Sequence, residues 1–162
     1  MSAKLEKEYK MLSDSMMILP NEMDRMKIAI AQSKDEEGIA RLDCHIPTDR
    51  RHECVERGQI YILKDRLARV FGVLRYSFFW QTIPFLDLIY LDEACRGNGY
   101  GTEMMRKWEC DMKACGYRYV MTSTQADETA WLFYEKLGYR RVGGFFPPDQ
   151  DAEEWMYLKE LE

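Results

Sequence analysis

The stretch Leu88-Ile89-Tyr90-Leu91-Asp92-Glu93-Ala94-Cys95-Arg96-Gly97-Asn98-Gly99-Tyr100-Gly101 reads as a strand, a short loop, a glycine-rich turn and the start of a helix. A turn of that kind aims several backbone N–H groups outward at a helix N-terminus, where the helix dipole adds partial positive charge. Its glycines let the backbone approach an oxyanion without Cβ collisions. The chemistry it supports is anion binding, and a pyrophosphate fits it. Two common phosphate motifs are excluded. A Walker loop ends in Gly-Lys-Ser/Thr, whereas Gly101 is followed by Thr102 with no lysine. A dinucleotide fingerprint spaces its glycines GxGxxG, whereas Gly97, Gly99 and Gly101 are spaced GxGxG.

A third pattern, Arg/Gln-x-x-Gly-x-Gly/Ala, holds the pyrophosphate of coenzyme A, and Arg96 to Gly101 matches it in full. A second block, Ala130-Trp131-Leu132-Phe133-Tyr134-Glu135-Lys136-Leu137-Gly138-Tyr139, resembles a helix reading A-x-x-x-Y-E-K-x-G-F. With both blocks in order, about one helix and one strand apart, the chain resembles the GNAT N-acetyltransferase superfamily over roughly Met26 to Leu161. The resemblance implies an α/β fold with a mixed, mainly antiparallel central sheet, splayed central strands and flanking helices. It implies acetyl-CoA as co-substrate and no metal.

Residue by residue, the resemblance places Ile89, Tyr90 and Leu91 on the strand that binds the acetyl-pantetheine arm, with a backbone N–H, that of Leu91, offered to the thioester carbonyl. It places Arg96, Gly97, Asn98, Gly99, Tyr100, Gly101 and Thr102 on the pyrophosphate turn, and Tyr134 on the tyrosine that protonates the departing thiolate. Family members often carry Asn where this chain has Asp127, so Asp127 is either a contact to the cofactor arm or simply a helix cap. Asp87 falls where some members hold an acidic general base, acting directly or through water. Its flanks Leu86 and Leu88 face the opposite side if the strand alternates. His45 lies in the loop between the first two helices, which borders the acceptor site in this family.

Acetyl transfer to an amine needs a neutral amine, a polarised carbonyl and a protonated leaving thiolate. Direct attack in a ternary complex needs no nucleophilic cysteine, and none of the five cysteines sits in a nucleophile motif. Each residue also has a plainer reading. Tyr134 can be a buried helix tyrosine, Asp87 a paired surface carboxylate and His45 an ordinary loop histidine. Phe78 to Phe85, with Trp80 near its middle, is divided between core packing and stacking on substrate. Phe145 to Glu154, with Phe146, is either a solvated loop or an acidic wall drawing in a cationic amine. The expected acceptor is a small molecule such as a polyamine, an amino sugar or an amino-acid derivative, or a protein amine, and these two segments lean toward a small cationic one. Two other readings stand beside the enzyme: an acyl-CoA-binding sensor without catalysis, and an interaction module dimerising through residues 1–25 and the aromatic segment.

The elements that must position these residues follow from pattern. Lys27 to Gln32 alternates as a strand, and Ser33 with Glu36 reads as a capping box before a helix that carries Ile39 and Leu42 inward. Pro47 stops that helix, and Thr48 caps a second one ending near Gly58. Gln59 to Lys64 and Ala68 to Trp80 read as strands joined at Lys64-Asp65-Arg66, and Phe85 to Leu91 as a buried central strand. A helix from about Gly99 to Cys115 carries the stripe Met104, Met105, Trp108, Met112 and Cys115, with Glu103, Arg106, Lys107, Glu109, Asp111 and Lys113 on the wet face. A strand over Tyr117 to Thr122, a helix over Asp127 to Leu137 and strands over Tyr139 to Phe145 and Glu154 to Leu161 complete the order β-α-α-β-β-β-α-β-α-β-β.

The chain's 162 residues suit one domain, here expected over 26–162, with residues 1–25 as an extension in which Leu5, Tyr9, Leu12 and Met16 recur at helical spacing. A net charge of −5 argues against nucleic acid as a partner, and no apolar run reaches the length of a membrane span. Five cysteines without a CxxC pair suit reduced thiols in the cytoplasm. A homodimer is left open.

Overall fold

Period-2 alternation and period-3.6 stripes resolve into seven strands and four α-helices in the computed structural model, which describes residues 26–148 and 150–162. The strands are β1 (Lys27–Ile30), β2 (Ile60–Lys64), β3 (Val70–Phe79), β4 (Ile83–Leu91), β5 (Tyr119–Gln125), β6 (Arg140–Phe145) and β7 (Glu154–Glu160). The helices are α1 (Glu36–Leu42), α2 (Thr48–Glu56), α3 (Tyr100–Ala114) and α4 (Ala130–Lys136), and their order among the strands is the expected one. All seven strands form one sheet in the order β1-β2-β3-β4-β5-β7-β6. The β4–β5 pair is parallel and the other neighbours are antiparallel, so the sheet is mixed and mainly antiparallel. The proposed extension over residues 1–25 lies outside the described residues.

Helices cover both faces, and β2 records this in four residues. Tyr61 and Leu63 join Met104, Met105, Trp108 and Met112 of α3 in one cluster. Ile60 and Ile62 join Ile39 of α1 and Val55 of α2 in the other. A fully buried aliphatic or aromatic side chain contributes about 1.5–3 kcal/mol, so these two layers hold the sheet between its helices. Close approach of α3 to β3 depends on Gly72. A Cβ there would lie 2.5 Å from a Leu91 methyl carbon and 3.3 Å from the Met104 sulfur.

Several local expectations need correction. The capping pair is Gln32 with Asp35, one residue early: the Gln32 N–H donates to Asp35 Oδ2 at 2.9 Å, and Ser33–Asp35 forms a 3-10 turn ahead of α1. Asp35 wins because Lys64 also reaches it, which holds its carboxylate inward. Thr48 is the first residue of α2 rather than its cap; Pro47 is the cap, and the Thr48 hydroxyl accepts from Arg51. On α3, Cys115 is exposed beyond the helix end, while Glu109 is buried, where Tyr139 and Lys159 both donate to its carboxylate. Periodicity alone cannot separate a charged residue in solvent from one sealed by two tertiary partners. Finally, β4 is central yet only Pro84 and Leu86 are buried along it, because β5 leaves its side.

Candidate active site

β4 and β5 touch through only two register pairs, Phe85↔Met121 and Leu86↔Thr122. Beyond them the strands part and leave an edge of β4 open. A bulge stands at the same point. Tyr76 opposes Leu86 and Arg75 opposes Leu88, so Asp87 is an extra residue on β4. Directly opposed residues share a face. Leu88 therefore lies on the side of Arg75, not that of Leu86, and the expected common face of Leu86 and Leu88 is lost at the bulge. Past it, Ile89 and Leu91 pack on the α3 cluster.

At the far end of β4 the Asp92 N–H donates to the Phe71 carbonyl on β3 at 2.8 Å. Successive strand amides alternate in direction, so the Leu91 N–H turns to the open edge. The Leu91 carbonyl is held by Arg96 Nε at 3.0 Å, and the Arg96 guanidinium lies 5.2 Å from the centre of the Tyr90 ring. The turn then runs through Gly97 and Gly99, with φ of +75° and +84°. Both values lie in the left-handed region that a side chain disfavours. No atom comes within 4 Å of where a Cβ on either would sit, so the space above the turn is open. Asn98 donates to the Arg96 carbonyl and shapes the turn. Gly99 is the helix cap, and Tyr100, Gly101 and Thr102 form the first turn of α3. Gly101 lies in ordinary contact distance of Leu91 and Phe133. This open N-terminus, with its unsatisfied amides, fits a pyrophosphate.

Tyr134 of α4 is 6% exposed, with its ring against Phe133, Tyr139 and Tyr157. Burial pushes its phenol pKa up, while a hydrogen bond with Thr122 pulls it back and the fields of Glu128 and Glu154 raise it. Thr122 also donates to the Leu86 carbonyl at 3.1 Å. The phenol is thus tied to the last point at which β4 and β5 are joined.

On the other face, Asp87 accepts from Ser77 Oγ at 2.8 Å and from Arg75 at 3.1 Å, with its side chain 23% exposed. Burial raises its pKa; the Ser77 bond and the Arg75 charge oppose that, and the Asp43 charge adds to it. Arg75 is bridged to fully buried Asp43 at 2.8 Å, which fixes its guanidinium between two carboxylates. Asp87, Arg75 and Ser77 line a cleft of about 610 Å³ bounded by α2 and the β3–β4 hairpin. That volume suits a small ligand.

The other expected site residues fall outside these two regions. His45 is exposed in the α1–α2 loop, next to the cleft residue Ile46, and its N–H donates to Asp43. Trp80 is 78% exposed at the hairpin tip, where it and Gln81 both have positive φ, and Gln81 is the tip residue that lines the cleft. Phe146 is 70% exposed after β6. Asp127 is exposed in the turn before α4, whose cap is Thr129, so it is not the helix cap. In the β6–β7 loop, Glu153 is taken up by Arg141 and Trp155. Sequence reasoning missed Arg75, Ser77, Asp43 and Thr122, and Arg57, which lines the cleft from the end of α2. A charged Arg75 within an otherwise apolar strand was the one available signal.

Among the described residues, no cluster of three or more His, Cys, Asp or Glu is placed to hold a metal, and the five cysteines are free thiols. Comparison with protein families matches residues 26–139 to the Acetyltransferase (GNAT) family. A comparison with curated proteins found no match. Solved structures share the fold. An N-acetyltransferase from Staphylococcus aureus Mu50 superposes with a TM-score of 0.71 at 19% identity, covering 85% of this chain and 99% of its own. Ard1 from Thermoplasma volcanium gives 0.74 at 16% identity, covering 85% and 98%. The structure of yncA from Salmonella typhimurium with its cofactor acetyl-CoA gives 0.70 at 16% identity, covering 85% and 95%.

Proposed function

The chain belongs to the GNAT acetyltransferase family, and from that premise we propose that it transfers the acetyl group of acetyl-CoA to a primary amine by direct attack in a ternary complex. One observation carries this reading: the gap between β4 and β5 has the open glycine turn at its far end and Tyr134 at its apex, with Asp87 on the bulge beside it. Acetyl-CoA supplies an activated acyl group, and the yncA structure supports it as the donor.

The amides of Gly97 to Thr102, with Arg96, hold the pyrophosphate, and Ile89, Tyr90 and Leu91 edge the pantetheine arm. The Leu91 N–H hydrogen-bonds the thioester oxygen as negative charge develops there, an effect worth about 10²–10³ in rate. Asp87, its pKa raised by burial, accepts the proton of the incoming ammonium directly or through water. The C–N bond then forms, the C–S bond breaks, Tyr134 delivers its proton to the departing sulfur, and the excess proton on the new amide nitrogen leaves to water, from which the phenolate is reprotonated. Burial keeps the phenol protonated until that step. Asp127, exposed at the end of the gap, is a weaker contact to the arm. His45 and Trp80 are rim contacts for a longer acceptor, a peptide amine included, and Phe146 belongs to the wall beyond β6. Residues 26–162 form the catalytic unit and 1–25 an extension. No helix among the described residues is long and apolar enough to cross a membrane, and we place the protein in the cytoplasm.

The test is release of CoA thiol from acetyl-CoA across a panel of amines. Turnover that falls with Tyr134→Phe and Asp87→Asn supports the reading. Tight acetyl-CoA binding with no thiol release from any amine would favour a sensor, and no binding would sink the proposal.

A further inference from the structure

The cleft on the Asp87 face is not acidic. Arg50, Arg57 and Arg75 line it against Glu53 and Asp87, and Asp43, buried behind Arg75, brings the charges to three against three. The five lining charges come from three elements for a clear reason. Positions 50, 53, 54 and 57 lie on one stripe of α2 and its C-terminal end, which turns Arg50, Glu53, Cys54 and Arg57 toward the β3–β4 surface where Arg75 and Asp87 stand. The Cys54 thiol sits among them. Arg75 and Arg57 pull its pKa down, Asp87 and Glu53 push it up, and burial exceeds all four.

Two of the three guanidinium groups are committed. Arg75 is clamped between Asp43 and Asp87, and Arg50 pairs with Glu53 at 3.1 Å. Arg57 has no carboxylate partner among the described residues. An acceptor amine arrives as an ammonium and must approach Asp87. A diamine would bring its second positive charge toward Arg57, the cleft guanidinium that no carboxylate offsets among the described residues. An acceptor with its own anion would give Arg57 a partner, and an Arg fork matches a carboxylate or a phosphate with two parallel hydrogen bonds.

We infer that the acceptor is a small amine bearing its own anionic group, with the amine at Asp87 and the anion on Arg57. This rests on the acetyl-transfer reading above and narrows it. It also departs from the small cationic acceptor suggested by the acidic Phe145 to Glu154 loop, whose Glu153 is bound to Arg141 and Trp155.

The experiment compares matched acceptors by kcat/KM: α-amino acids against their carboxamides, phosphoethanolamine against ethanolamine, and putrescine as the diamine. The amide's amine is the less basic of its pair, so a preference for the acid runs against the supply of neutral amine. The expected result is at least about a tenfold preference for the carboxylate or the phosphate over its neutral partner, the size a charge-assisted hydrogen bond supports. Arg57→Gln should collapse the ratio, mainly through KM, and Arg57→Lys should restore part of it. A second readout needs no turnover: the rate of Cys54 alkylation by iodoacetamide, followed by peptide mapping so that the other thiols do not interfere. The anionic amine should protect Cys54 in the parent and not in Arg57→Gln. Turnover of neutral amines or putrescine as efficient as that of the anionic ones overturns the inference while acetyl transfer stands. Protection of Cys54 by the anionic amine without thiol release from any acceptor does the reverse. Absence of both the preference and the protection overturns the inference.

Discussion

Replacing Tyr134 by Phe removes one oxygen and keeps the ring. The ring holds its contacts with Tyr139 at 5.9 Å and Tyr157 at 6.3 Å between centroids, so packing survives. What folding loses is the hydrogen bond to Thr122, about 0.5–1.5 kcal/mol. For a domain of this size that lowers Tm by no more than about 6 °C. Catalysis loses the proton donor for the leaving thiolate, so kcat should fall about a hundredfold or more, equivalent to about 2.7 kcal/mol of barrier. The acid acts only in the transition state, so KM for acetyl-CoA should stay within about twofold. Thr122→Val is the companion. It keeps the volume, removes the bond that holds the phenol pKa down, and should cost less than the loss of the phenol itself. The assay is thiol release at saturating acetyl-CoA, with Tm measured on the same samples. A kcat for Tyr134→Phe within twofold of the parent would refute the assignment and leave water as the acid. A large fall in Tm would show that the phenol serves packing instead.

As the proposed base Asp87 acts in its ionised form, and burial raises its pKa; activity should therefore rise with pH through a value above the usual 3.8. Ser77→Ala removes a bond that stabilises the carboxylate, so a pH profile of kcat/KM should show that rise displaced to higher pH, and Asp87→Asn should abolish it with a loss of about 10²–10⁴ in rate. Gly99→Ala places a Cβ at φ +84°, a strain of about 1–2 kcal/mol. If the turn relaxes to avoid it, calorimetry should show weaker acetyl-CoA binding, by about 5- to 30-fold, with the acceptor KM unaffected. Gly72→Ala drives a methyl into Leu91 and Met104; overpacking of that kind costs about 1–3 kcal/mol, which thermal melting should record as a fall of several degrees.

The glycine turn was legible in the sequence because it is local. Glycines at positive φ, a helix cap and a preceding strand fall within one short stretch, and nothing distant is needed to recognise them. Strand and helix order was legible for the same reason: alternation and stripes are properties of neighbours along the chain. The cleft beside Asp87 was not. Asp43 and Arg75 are 32 residues apart in sequence, and their pairing depends on α1 ending against β3. Glu109 likewise looks like a wet-face residue until β7 brings Lys159 to it. Charge partners across elements are set by packing, so a carboxylate's environment, and with it its pKa, is invisible to spacing. The acidic β6–β7 loop stands out by charge alone, whereas the cleft guanidinium without a carboxylate partner among the described residues, Arg57, sits on an unremarkable helix end.

The β4 bulge shows why the two halves of the site cannot be designed separately. In an unbroken strand Leu86, Leu88 and Tyr90 would share the α3 face. One extra residue at Asp87 inverts the phase, so Ile89 and Leu91 take that face instead. Leu91 then lies against both Gly72 on β3 and Gly101 in the first turn of α3, which fastens the glycine turn to the strand. The same residue that shifts the phase presents its own carboxylate to Ser77 and Arg75 on the opposite face. It also stands one residue past the last β4–β5 register pair, where the gap opens. Attachment of the glycine turn and placement of the Asp87 carboxylate thus follow from a single insertion in register, at the point where β4 and β5 part. The run Leu86-Asp87-Leu88 carries no mark of it, because a bulge and an unbroken strand have the same composition and differ only in what lies across the sheet.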